Sequence, residues 1–179
     1  NIRDFSILDS ELGDLSITST WNNRTKLAEI AASNNLQGKE LLNISGYYDP
    51  GIKKIQLYGK ADKLPVEALN PLLSSFASEI TGSASGKVSL TGQGGKIILK
   101  GALFAENTSM KIDYLQVKYN LNDSIRFDEN AIIFRNLALT DERGNRASLN
   151  GRVFHNYFKD FGADISLNTN GAMVLNTRQ

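Results

Sequence analysis

The sequence predicts an all-β, mainly antiparallel protein with one short helix. Three observations carry that prediction. Apolar and polar residues alternate with period two over much of the chain, Gly, Asn and Asp turn signals cut the alternation into short runs, and one segment alone changes to helical spacing. Successive strand side chains point to opposite faces, so each alternating row has one apolar and one polar side. Such a sheet is wet on one face and apolar on the other.

Taken in order, the first strands are the weakest, near Leu15–Thr18 and Lys26–Ala31, and Ser33–Gly38 reads as a turn. Ile55, Leu57, Gly59 and Ala61 then alternate with Lys54, Gln56, Tyr58 and Lys60. Between Leu64 and Gly82, the residues Val66, Leu69, Leu72, Leu73, Phe76 and Ile80 keep a helical spacing. Pro71 does not fit a helix interior, so the segment divides into a turn at Pro65–Leu69 and a helix from Leu72 to Glu79, with Asn70 as cap and Gly82 as stop. Gly82–Gly86 reads as a hinge-like linker.

Beyond it, Val88 and Leu90 alternate with Lys87, Ser89 and Thr91. Ile97, Leu99, Gly101 and Leu103 form the next row, after a hairpin turn at Gly92–Gly95. In Met110–Leu121 the apolar parity changes at Tyr114–Leu115, which fits either a β-bulge or two strands joined tightly. Ala147, Leu149, Gly151 and Val153 make another row, and Ala163, Ile165 and Leu167 a shorter one. The organisation is therefore 1–63, strand-rich; 64–86, short helix and linker; and 87–179, a C-terminal sheet segment. No fixed rung repeat supports a regular β-helix.

Composition narrows the chemistry. A 41% hydrophobic and 22% charged chain of 179 residues is that of a folded protein with enough length for a core. A net charge of +1 gives no electrostatic case for nucleic acid. With no cysteine, disulfides and thiolate chemistry are excluded. No apolar run approaches the roughly 18 residues of a membrane helix, and the chain, starting at Asn1, reads as a segment of something longer.

No catalytic constellation emerges. His155 is the sole histidine, which leaves at most one imidazole for a triad or metal site, and a structural hydrogen-bonding role fits it better. Asp141–Asn145 reads as a turn, Asp160 likewise, and no calcium-loop spacing is present. Gly92–Gly95 lacks the helix a phosphate cradle needs. Tyr47 and Tyr48 are adjacent and so fall on opposite faces. The expectation is a non-enzyme without cofactor or metal. What is left is the apolar face, which must be buried in a sandwich or stay open in a curved trough.

Phe127–Asp128, Ile133–Asn136, the Thr140–Asn145 turn, Leu149–Gly151 and His155, supported by Leu64–Leu69 and Gly82–Gly86, form one further set of elements. Together they resemble the C-terminal region of the TamB family, the translocation and assembly module subunits, in the form found in Bacteroidetes-type bacteria. The similarity is best over Gly86–Gln179, and residues 1–50 share only strand-rich character. It implies a periplasmic segment of an inner-membrane-anchored chain whose strands curl into a trough with an apolar inside. It further implies phospholipid or acyl-chain transport toward the outer membrane, or assembly of outer-membrane proteins, with a TamA-like outer-membrane barrel as partner. The candidate groove residues are Ile55, Leu57, Val88, Leu90, Ile97, Leu99, Leu115, Val117, Ile133, Leu149, Val153, Ile165 and Leu167. A second expectation is a docking module that adds an edge strand, for instance Ala172–Asn176, to a partner. A carbohydrate-binding β-protein is the third.

Overall fold

Each alternating row becomes a strand, and the strands lie side by side in the order in which the chain makes them. The computed structural model describes residues 2–7, 10–69, 77–113 and 115–174. Its strands are β1 (Ile2–Ile7), β2 (Ser10–Asn22), β3 (Leu27–Leu36), β4 (Lys39–Asp49), β5 (Lys54–Pro65), β6 (Ala77–Gln93), β7 (Lys96–Ile112), β8 (Val117–Asp128), β9 (Ala131–Asp141), β10 (Arg146–Phe154) and β11 (Gly162–Thr169). All 11 belong to one antiparallel sheet in the order β1 to β11. The sheet is curved and does not close into a barrel. The described strands therefore form one sheet and not a two-sheet sandwich.

Four bulges keep one apolar face continuous through these long strands. A bulge adds one residue, so side-chain parity switches without the strand leaving the sheet. The extra residues are Lys63, Glu79, Asn107 and Asn136, all with φ between +48 and +55, and each lies at a register shift. Three of these bulge amides find a side chain on the next strand in place of a ladder carbonyl. Lys63 N–H donates to Ser85 Oγ at 2.8 Å, Asn107 N–H to Asn122 Oδ1 at 3.3 Å and Asn136 N–H to Asn150 Oδ1 at 2.8 Å.

These bulges account for several departures from the sequence reading. The helix expected at 72–79 is absent where it is described: Ala77–Glu79 open β6, Ala77 pairs with Ile112, and Leu72–Phe76 lie outside the described residues. Ala77 and Ile80 are three apart yet both buried because Glu79 is a bulge between them, and that spacing imitates a helix. The turn at Pro65–Leu69 is present as a 3-10 turn at Val66–Leu69. Gly82–Gly86 is strand, not linker. A Cβ on Gly82 would lie 2.6 Å from Thr108 Cα, and one on Gly86 would lie 2.2 Å from the Ala102 carbonyl oxygen, so close strand approach selects both glycines. At the parity change β7 stops at Ile112 and β8 starts at Val117, with Leu115 N–H donating to the Ile112 carbonyl at 3.1 Å in the tight connection between them; Tyr114 itself lies outside the described residues. Ser33–Leu36 likewise continues β3, leaving Gln37–Gly38 as the turn.

Burial is uneven. The largest cluster spans β7 to β10 through Ala105, Val117, Tyr119, Leu121, Leu137, Leu139 and Ala147, and is capped by Ala172. Val66, Ala77, Ile80 and Ala84 form a second cluster, and Leu41, Ala61 and Leu64 a third. The cap on the first is a strap that follows β11. Asn170 N–H donates to the Arg146 carbonyl at 3.3 Å, Met173 N–H to Asp141 Oδ2 at 3.0 Å, and the Tyr119 hydroxyl to the Met173 carbonyl at 2.6 Å. Ala172–Val174 is thus a folded-back strap and not an edge strand; residues 175 and 176 lie outside the described residues.

Candidate functional site: an uncovered apolar face

Directly opposed residues in a ladder project to the same face, so register turns the sequence into rows across the sheet. One row reads Trp21, Ala28, Tyr48, Ile55, Gly92, Ile97 over β2 to β7. The next reads Ser19, Ile30, Gly46, Leu57, Leu90, Leu99. A third runs nearly the width of the sheet: Ile17, Ala32, Ile44, Gly59, Val88, Gly101, Phe127, Ile132, Val153, Ala163. The opposite face carries Lys60, Lys87, Ser89 and Lys100, with Tyr47 and Gln56 hydrogen-bonded at 3.0 Å.

Among the described residues, no second layer covers the β2–β7 half of the apolar face. Ile17 is 57% exposed, Trp21 49% and Ile97 44%, while Ile44, Leu57, Leu90 and Leu99 are half-buried by their neighbours. Scattered exposed apolar residues are ordinary, but contiguous rows of them mark an interaction surface.

Eleven of the thirteen candidate residues fall on strand positions of this face. Ile55, Leu57, Val88, Leu90, Ile97 and Leu99 lie in its three rows. Val117 is on the same face but fully buried in the main cluster, where Leu149 and Leu167 pack. Val153 pairs with Ala163, and Ile165, 43% exposed, lies beside Gly151. Leu115 sits in the β7–β8 turn and packs on the main cluster. Ile133 points the other way, opposite Arg126 and Arg152. Its neighbour Ile132, 6% exposed, takes the apolar side opposite Phe127 and Val153. The run Ala131–Phe134 is apolar at every position, so alternation could not choose between them. Trp21, Ile44, Phe127 and Ile132 were missed, and the signal that finds them is cross-strand register.

The polar groups nearest the face hold structure. Asp141, buried, accepts N–H bonds from Arg143 and Asn145 at 2.9 Å and from Met173 at 3.0 Å, and the Asn145 side-chain amide at 3.0 Å. The Asn145 amide first, then the Met173 N–H, draw its pKa down to about 2. Burial first, and the Asp141 charge second, raise that of Tyr119. His155 is buried against Phe158, ring centroids 4.3 Å apart, with Nδ1 accepting the Phe158 N–H at 3.3 Å. Burial lowers its pKa and keeps the ring neutral. Among the described residues no three His, Asp or Glu side chains converge as metal ligands. The arrangement can hold an extended apolar ligand along rows of aliphatic side chains. No family model, curated protein or solved structure matches this chain.

Proposed function

We propose that the chain is a TamB-like periplasmic segment whose apolar face carries acyl chains of phospholipids between the inner and outer membranes. The observation that supports this most is the continuity of the rows from β2 to β7 with no covering layer among the described residues. An acyl chain loses about 0.8 kcal/mol per CH₂ when it enters water. A floor of aliphatic side chains removes most of that cost while the headgroup stays wet. The face supplies solvation alone and calls for no catalytic group. In this reading the whole protein is anchored in the inner membrane and meets a TamA-like barrel at the outer one, where it also supports outer-membrane protein assembly.

The test is a photo-crosslinking residue placed at Leu57 or Leu99 and, on the opposite face, at Ser89, in cells with labelled phospholipid. Adducts at the first two positions and none at Ser89 are expected. Equal labelling at all three, or none at any, would sink the reading. A second reading, strand addition to a partner, is favoured by β11, exposed at every residue except Leu167 and paired on one side only. Crosslinks from Asp164 to a partner barrel strand would support it, and their absence would leave β11 a plain edge.

A further inference from the structure

In an antiparallel meander alternate turns share one long edge. Here that edge gathers the turns at 23–26, 50–53, 94–95 and 129–130 and the loop at 155–161. Its first three turns and their flanks carry Arg24, Lys26, Lys53, Lys54 and Lys96, against a single carboxylate, Asp49. Asp49 Oδ1 is already engaged by the backbone N–H groups of Gly51 at 2.8 Å and Ile52 at 3.4 Å. None of the five cations has an ion-pair partner among the described residues. The ion pairs Lys39–Asp62, Lys63–Glu106, Lys111–Glu79 and Lys118–Glu79 lie toward the opposite edge, and the one ion pair on this edge among the described residues, Lys100–Glu129 at 3.0 Å, is at its fourth turn, beyond the first three.

Exposed apolar groups sit among these cations. Ile52 is 55% exposed at the tip of its turn, whose backbone is fixed by Asp49 and by Gln93 Nε2 donating to the Ile52 carbonyl at 3.1 Å. Trp21 lies one residue inside the first turn, and Ile97 one residue inside the third. Neighbouring strands are about 4.8 Å apart, so three alternate turns span roughly 20 Å. A polyanion would pair with the lysines but offer nothing to Ile52 and Trp21. An anionic bilayer offers both phosphates and an apolar layer behind them.

We infer that this edge docks on the surface of an anionic membrane, with Ile52 and Trp21 entering the headgroup layer and Arg24, Lys26, Lys53 and Lys96 pairing with lipid phosphates. The docking is independent of acyl chains in the groove. The test is co-sedimentation of the chain with phosphatidylcholine vesicles, with and without phosphatidylglycerol, over a salt series. Binding should need the anionic lipid and fall with salt. Lys53→Gln with Lys96→Gln should weaken it roughly 25-fold, about fivefold per cation. Ile52→Asp should weaken it further, while Lys39→Gln and Lys118→Gln on the opposite edge should leave it unchanged. All these sites are at the surface, and a thermal melt checks that each variant is folded. Equal binding to neutral vesicles, indifference to the Lys53 and Lys96 changes, or loss only in Leu99→Asp would overturn the inference; the last would place the contact on the apolar face. Absence of lipid crosslinks at Leu57 and Leu99 would leave this test standing.

Discussion

Gly151→Ala should release β11 while leaving the rest of the sheet intact. Gly151 has φ +123, a conformation L side chains rarely adopt, and a Cβ there would lie 2.1 Å from the Asp164 carbonyl oxygen and 2.9 Å from Ile165 Cα. Real Cβ atoms essentially never come closer than 3.0 Å, so β11 must retreat by about 1 Å at Ile165 or β10 must twist. Forcing a side chain into that backbone region costs about 1–3 kcal/mol. The cost falls on β11 because it is an edge strand, held on one side only, with seven of its eight residues exposed. Amide hydrogen exchange reads this directly. At about 1.4 kcal/mol per factor of ten, exchange at Gly162–Thr169 should quicken by roughly 5- to 150-fold, with β2–β7 unchanged. Wild-type protection in β11 would refute the close-approach argument. A uniform loss across the sheet would refute the claim that the edge opens alone.

The remaining expectations concern the main cluster and its strap. Leu137, 3% exposed, is enclosed in the cluster, so Leu137→Ala should cost about 2–5 kcal/mol in urea unfolding; a change under about 1 kcal/mol would mean the cluster collapses freely around the gap. Asp141 has its folded pKa depressed to about 2 from an ordinary 3.8, so its contribution is complete above the unfolded value and disappears as pH falls through the folded one. The Met173 amide should therefore keep its exchange protection at neutral pH and lose it between about pH 4 and pH 2. Asp141→Ala should lose that protection at every pH, and retention there would mean the Tyr119 bond to the Met173 carbonyl holds the strap without it.

Alternation made the fold class legible, and in β5 and β6 it placed Ile55, Leu57, Val88 and Leu90 on one face, because polar residues separate them there; in β7, where Ile97, Ile98 and Leu99 are consecutive, the longer row through Gly101 and Leu103 set the parity. It failed where a bulge intervened. Glu79 made Ala77 and Ile80 look helical, and the close-packed glycines at 82 and 86 looked like a linker because a strand glycine and a loop glycine are the same letter. Bulges escape sequence reading because their residues, Lys63, Glu79, Asn107 and Asn136, resemble any exposed polar position; what holds three of them is a side chain on another strand. At Ile133 the run is apolar throughout, and only pairing with Arg126 and Arg152 settles its direction. The strap was invisible for a similar reason. Asp141 was legible as a turn former, but its bond to Met173 spans 32 residues.

Native mass spectrometry of the chain purified from a Gram-negative host, followed by lipid extraction, tests the central claim most directly. An open apolar face that solvates acyl chains should retain phospholipid or fatty acid, and Leu57→Asp with Leu99→Asp should abolish the retained mass without unfolding the sheet. A lipid-free monomer from the unaltered chain, or lipid retained equally by the double variant, would contradict the account.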